Sequence, residues 1–472
     1  MSVMMRRRNG GWTKWASVGS FVLAAVLALC GACTGIVLAE EAGPGLTVSG
    51  DVEYGLAVSL RGDGVTANTV GYHLSLSTGF GGTGWLPSGN AYISLKGSYD
   101  LQNESGKLAD LDEAYVDLYL TGADMRLGQQ VVSWGTAYGL NPTSYVNPVP
   151  NPVSEAGGTS LAGVIGSTGL ELTRLAVPAA SATLYPSWGE VGLVAVVNPR
   201  LQGIPVPGDT QAVIMQMAAG KIMQDWPGIQ AIPSSLRFTV EPPESLSDRL
   251  EYAARVGARI GRWDLYLSGY RGWEDYPVLW VSATPVSLTQ VTVDPNAAYR
   301  KETKAGLAAS CTWGPYTLWG EGSYAWPDKV AGLDDSDSTV FSLSSNDPHW
   351  QAVVGADRSF GDSNDVYVMA EYIYNSSGSI LTPYQFAPGE REAKQYLAGA
   401  ARWQPGQDHK FELSAVYCMN DRSYVVVPRY TYQVDESTSV WLGLAVPGGA
   451  ADSEFGSFSD GRSASLGIKL AF

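Results

Sequence analysis

The chain closes on Ser463-Ala464-Ser465-Leu466-Gly467-Ile468-Lys469-Leu470-Ala471-Phe472. Side chains of an extended strand point alternately to opposite faces. Ala464, Leu466, Ile468, Leu470 and Phe472 therefore share one face, and Ser463, Ser465, Gly467, Lys469 and Ala471 the other. One face suits lipid and the other suits water.

Stretches of this kind recur upstream, each about ten residues long with aromatic or β-branched residues on one phase. They fall at 46–60, 69–79, 90–101, 111–120, 123–134, 167–177, 181–198, 249–260, 263–273, 299–313, 316–326, 349–360, 365–374, 393–403, 409–418, 423–435, 438–446 and 463–472. The expected fold is all-β, a transmembrane antiparallel up-and-down barrel of about eighteen strands. Tight connections at 121–123, 178–181, 261–262, 314–315, 361–364, 405–408 and 435–437 alternate with long ones at 135–166, 199–248, 274–298, 327–348, 375–392 and 447–462. Short turns at one end and long loops at the other are the habit of membrane barrels. Residues 80–89 are long for a turn and 419–422 short for an outer loop, which leaves sixteen and twenty strands open.

A free C-terminal Phe on an alternating strand resembles the last strand of bacterial outer-membrane β-barrels. The resemblance implies that Phe472 belongs to the signal read by the barrel-assembly machinery. Residues 1–39 look like an export signal for the general secretory route: Arg6, Arg7, Arg8 and Lys14 precede an apolar run from Val18 to Ala39. Cleavage after Ala39 leaves a barrel domain at 40–472. No later stretch has eighteen consecutive apolar residues, so a mature chain in a membrane must close as a barrel.

Composition agrees. The chain has 55 Gly, 25 Tyr and 15 Trp, with a mean hydropathy of -0.03, as expected when lipid-facing and water-facing residues alternate. Without the signal, 26 Lys and Arg stand against 46 Asp and Glu, a net charge near -20. That balance excludes nucleic acid as a partner. Of the four Cys, two lie in the signal; Cys311 and Cys418 are expected on opposite faces, one toward lipid and one toward the lumen, and hence unbridged.

Strand phase lists the expected lumen. Glu113, Tyr115, Asp117 and Tyr119 point inward opposite Ala114, Val116, Leu118 and Leu120, and so do Arg126, Gly128 and Gln130. Glu251, Arg255, Arg259, Glu302, Lys304, Glu321, Glu371, Glu412, Arg429 and Lys469 join them. Mixed charge inside a barrel of this width leaves a wet lumen.

Arg126-Leu127-Gly128-Gln129-Gln130 runs through Trp134-Gly135 into Asn141-Pro142 and Asn147-Pro148. This resembles a group of poorly characterised porin-like outer-membrane barrels, with further matches at Asn198-Pro199, at Glu251 to Gly257 and at Trp273 to Pro277. The resemblance spans about residues 110–280 and implies a channel without naming its solute. Asn-Pro pairs restrict φ and remove donors, so this loop cannot extend the sheet. An inward-folded 135–166 loop, with Trp134, Asn141 and Asn147 at a constriction, is expected, against the alternative of a rigid outer cap. Residues 211–225 read as a short amphipathic helix carrying Val213, Ile214, Met217 and Ile222, stopped by Trp226-Pro227.

Chemistry is sparse. His73, His349 and His409 have no metal-ligand spacing, the one CxxC (Cys30 to Cys33) lies within the expected export signal, and glycine runs such as 79–84 precede no helix. No catalytic residue, metal or cofactor is expected, and the acidic run Asp334-Asp335-Ser336-Asp337 reads as solvated. The expected function is passive passage of small hydrophilic solutes through a porin-like channel in the outer membrane. The alternatives are a gated transporter or exporter of hydrophobic compounds or polysaccharide, and a closed structural or adhesive barrel. Expected partners are outer-membrane lipids and lipopolysaccharide, the assembly machinery, a small-molecule solute and, through small residues such as Ala305 and Ala309, a second copy of the chain.

Overall fold

The computed structural model describes residues 45–62, 64–81, 87–150, 174–333, 335, 338–361, 363–384 and 392–472. The export signal at 1–39, the 151–166 part of the loop, half of the 79–84 glycine run and three of the four residues of the 334–337 run lie outside the described residues.

In chain order the strands are β1 (Leu46–Ser59), β2 (Val65–Phe80), β3 (Ser88–Asp100), β4 (Ser105–Leu120), β5 (Ala123–Gln130), β6 (Val177–Leu184), β7 (Glu190–Val196), β8 (Gln230–Pro233), β9 (Glu251–Ile260), β10 (Trp263–Trp273), β11 (Val278–Ser287) and β12 (Gln290–Ala298). They continue with β13 (Lys301–Trp313), β14 (Tyr316–Pro327), β15 (Thr339–Ser342), β16 (His349–Phe360), β17 (Val366–Asn375), β18 (Lys394–Trp403), β19 (His409–Cys418), β20 (Tyr424–Gln433), β21 (Thr438–Gly448) and β22 (Ser463–Ala471). Helix α1 spans Gly208–Asp225 and the single turn α2 spans Leu246–Arg249.

Eighteen strands, all except β8, β11, β12 and β15, pair antiparallel with their sequence neighbours in one sheet. β22 returns to β1, with Leu466 opposite Leu56 and Leu470 opposite Val52, so the sheet closes on itself and has no edge. Phe472 completes the seam: its N–H donates to the Gly50 carbonyl and its carbonyl accepts from the Gly50 N–H, both at 2.9 Å. Both ends of the described chain lie at the end of the barrel that carries the short turns.

Outward side chains are apolar along the wall: Leu267, Leu307, Val354 and Leu466 are each at least half exposed. At the turn end the outer surface becomes aromatic, with Tyr185, Trp188, Trp263, Trp313 and Trp403 exposed. Tyr252, Trp326, Trp350 and Tyr424 repeat the pattern near the loop end. Two aromatic belts flanking an apolar band match the two interfaces of a bilayer. The wall is not of even height. β5 and β6 have 8 residues and β7 has 7, against 16 in β2 and β4. Outside this low stretch runs a groove floored by small residues, Ala180, Ala182, Ala195, Ala254 and Gly269.

The expected strands at 167–177 and 181–198 are corrected. β6 begins at Val177, and Pro178, expected in a turn, stands inside the strand opposite Gln129. The turn is instead Tyr185-Pro186-Ser187-Trp188-Gly189, closed by Gly189 N–H to the Pro186 carbonyl at 3.0 Å. The expected strand 123–134 stops at Gln130. There the Glu113 carboxylate takes the Val131 N–H and Asn147 Oδ1 takes the Val132 N–H, so side chains replace the next ladder bonds and the chain leaves the wall.

The loops at 199–248, 274–298 and 327–348 hold more structure than expected. β11 and β12 form a hairpin, β15 adds to β11, and β8 pairs in parallel with β12, giving a separate four-stranded sheet. α1 lies on it, with Met215, Ala218 and Ile222 packed among Leu279, Val281, Val293 and Leu343. Together they make a cap with its own apolar core at the loop end of the barrel. The helix starts three residues earlier than expected. Its buried stripe is Ile214, Met215, Ala218, Ala219 and Ile222, while Val213 and Met217 are exposed. Gln211 fixes its start, donating to the Val206 carbonyl and accepting from the Phe238 N–H.

Candidate functional site: a lumen narrowed by an inward loop

Residues 131–150 fold into the barrel and are pinned to the far wall. Glu321 on β14 accepts the Ala137 N–H at 2.8 Å and the Thr143 hydroxyl. Glu371 on β17 accepts the Tyr138 N–H at 2.8 Å, the Gly139 N–H at 3.0 Å and the Trp319 indole N–H at 2.8 Å. Tyr145 meets Ser268 on β10 through its hydroxyl at 3.0 Å. The approach is close enough that Gly306 on β13 has no room for a side chain: an added Cβ would sit 1.9 Å from the Tyr145 hydroxyl.

The loop's own framework is built from the two expected constriction asparagines. Asn147 donates to the Gln130 and Leu175 carbonyls, so it ties the start of the loop to its end. Asn141 donates to the Ala137 carbonyl at 2.9 Å and closes a one-turn bend. Gly135 permits that bend with a φ of +106°, and an added Cβ there would meet Asn141 Oδ1 at 2.0 Å. Arg174 then braces the loop from behind, donating to the Asn147 carbonyl at 2.9 Å and the Asn141 carbonyl at 3.4 Å. Sequence reasoning missed Arg174, which fell inside an expected strand.

Two cavities lie on either side of this loop. The one toward the turn end, about 280 Å³, is lined by Asp117, Arg126, Gln130, Trp134 and Ser181. Arg126 clamps Asp117 through Nε at 2.7 Å and a terminal nitrogen at 3.0 Å, and its guanidinium lies 3.8 Å over the Tyr115 ring. Arg255 pairs with Glu190 at 2.7 Å and lies 5.4 Å from the Trp134 ring and 4.8 Å from the Tyr266 ring. Such stacked, paired arginines keep their charge in a fixed place along the lumen. The cavity toward the loop end, also about 280 Å³, is lined by the loop, the outer ends of β13, β16 and β17, and Tyr276 and Tyr384.

The remaining expected lumen residues take diverse roles. Arg429 lies 4.3 Å over the Trp441 ring, and Lys304 pairs with Glu302 at 2.6 Å. Glu251 is buried and accepts the Trp273 N–H. Arg259 is exposed at the turn end, where it pairs with Asp264. Gln130 is buried and holds β6 through Ala179 and Ser181. Glu321 and Glu371, expected as free lumen charges, are committed to the loop instead. Cys311, expected toward lipid, is on the outward phase yet buried, and Cys418 is buried on the inner phase; both are free.

Outside the wall, burial pushes the Asp275 carboxyl up to about 6, with Glu302 adding to the rise and Lys304 and Arg174 opposing it. Burial also raises Glu274, despite its ion pair with Arg300 at 2.7 Å. Among the described residues the one group of possible metal ligands is Cys418, Asp421 and Glu454, and the Lys394 ammonium already sits on it, 2.7 Å from Glu454 and 3.6 Å from Asp421.

No family model matches the chain, and no curated protein matches its sequence. Among solved structures, it is similar to OccK5 (OpdH) of Pseudomonas aeruginosa at 8% identity, over 91% of this chain and 98% of that one, with a TM-score of 0.47. OmpF of Salmonella typhi, solved as a complex with daunomycin, matches at 12% identity over 90% and 97% with a TM-score of 0.45. A loop-deleted OmpT of Vibrio cholerae, an outer membrane protein, matches at 10% over 90% and 99% with a TM-score of 0.38.

Proposed function

We propose that the chain is a porin-like channel of the bacterial outer membrane, passing small hydrophilic solutes without catalysis. The observation that carries this reading is the inward loop: apolar clusters pack it against the wall at Trp319, Val353 and Met369 and at Val177, Val194 and Tyr270, yet a cavity lined by charged side chains is left on each side of it. The apolar band between two aromatic belts supports the membrane location. On this reading residues 1–39 are the export signal and the β22 strand ending at Phe472 addresses the assembly machinery.

A second reading, a gated transporter, is favoured by the cap, a separately packed apolar unit at the loop end. Purified protein in planar bilayers separates the readings. The channel reading expects steady single-channel conductance, with a reversal potential in a salt gradient that reports its ion preference. Conductance that appears only after deletion of 199–248 would move the assignment to a gated transporter. A folded, heat-modifiable barrel that stays closed in both forms would overturn transport altogether.

A further inference from the structure

The cavity at the loop end has an unusual charge pattern. Its lining includes three cations, Arg174, Arg300 and Lys304, and three carboxylates, Glu274, Asp275 and Glu302. Four of these six are paired directly, Arg300 with Glu274 and Lys304 with Glu302. Arg174 and Asp275 are left. They feel each other electrostatically but form no ion pair; Arg174 donates to the Asn141 and Asn147 carbonyls, and the Asp275 carboxylate takes the Val149 N–H and faces Lys304. Ser144, only 5% exposed, also lines this cavity, and its buried hydroxyl has no hydrogen-bond partner. A buried polar atom without a partner is costly, so its presence beside a cavity points to a group supplied from outside, a water or a solute.

We propose that this cavity binds small amphoteric solutes, molecules that carry both a carboxylate and an ammonium group, between Arg174 and Asp275. The carboxylate of the solute accepts from Arg174 and from the Ser144 hydroxyl, and the ammonium donates to Asp275. A solute with a single charge engages one partner only and sets its own charge near the like-charged other, which disfavours it. A neutral solute satisfies neither. The inference deepens the channel reading, on which it rests for its role: the cavity would sort solutes before they reach the loop.

The test is calorimetric binding to the detergent-purified full chain of an ω-amino acid series, from glycine to 6-aminohexanoate, with butyrate, butylammonium and glycerol as controls. At least one amino acid of the series is expected to bind about tenfold or more tightly than either singly charged control, and glycerol is expected to give no heat. Asp275→Asn should shift the preference toward butyrate and Arg174→Gln toward butylammonium, a reversal that a merely structural role would not produce. Ser144→Ala, a smaller change, should weaken the amino acid by about two- to tenfold, the value of one hydrogen bond. No binding by any amino acid to folded protein, or equal binding by butyrate, overturns the inference. Because binding is read without conduction, a conducting barrel that binds nothing sinks this proposal alone, whereas a binding barrel that never conducts sinks the channel reading.

Discussion

Asp275 shows what a single buried carboxyl imposes. Its pKa rises from near 3.8 to about 6, chiefly through burial, with Glu302, Lys304 and Arg174 as the charged groups facing it. A carboxyl raised on folding binds its proton more tightly in the folded state than in the unfolded one, so stability falls as pH rises between about 4 and 6. Above that window the full cost of the buried charge is present. Asp275→Asn removes it, so hydrogen exchange around residues 274–278 should be slower in this variant than in the parent at pH 7.5, and equal in the two at pH 4. Equal exchange at both values would mean that the carboxyl is not held away from water. The Asn141 and Asn147 side chains make a different point at the same scale. Their residue type was legible as a loop signal, but their use as internal braces, rather than as groups facing a solute, follows from which carbonyls they reach.

At the scale of elements the inward loop depends on carboxylates that belong to other strands. Glu321 and Glu371 together receive three backbone amides, one hydroxyl and one indole N–H. A hydrogen bond to a charged group contributes about 1.5–3 kcal/mol, so Glu321→Ala with Glu371→Ala should release residues 131–150 from the far wall while the barrel ladder stays intact. Single-channel conductance should rise, and a protease should gain access to the loop. An unchanged conductance with an unchanged digestion pattern would show that the loop is held by its Asn-Pro framework alone. Strand phase in β14 and β17 puts both carboxylates on the expected inner face. It could not tell a free lumen charge from an anchor, because the partner lies about 180 and 230 residues away in sequence. The same limit explains β6: Pro178 reads locally as a break, yet it needs no N–H of its own where it pairs with Gln129.

At the scale of the whole molecule two bodies with different physics meet. The barrel is a closed ladder whose lumen sets charged cavities beside apolar clusters, and the cap has a separate apolar core built from loop segments. Ile222, 2% exposed, and Met215, fully buried, are central to that core. Replacing a buried Ile or Met by Ala costs about 2–5 kcal/mol where the site cannot collapse. Met215→Ala with Ile222→Ala should therefore loosen the cap, read as fast exchange in 208–225 and 278–298. The heat-modifiable migration of the barrel should not change, because its closure runs through β1 and β22. If the barrel lost that migration as well, cap and wall would form one cooperative unit.

The sequence by itself determined a barrel of about eighteen strands and the helix in the second long loop. Those features are local: period-two alternation, turn residues and a C-terminal Phe act over ten residues or fewer. Tertiary structure alone decided that the loops build a sheet of their own, that Met215 rather than Met217 enters its core, and that Glu321 and Glu371 grip a loop. The physical reason is range: each of these is set by partners scores to hundreds of residues distant, and the free energy of burial and hydrogen bonding belongs to the pair, not to either residue.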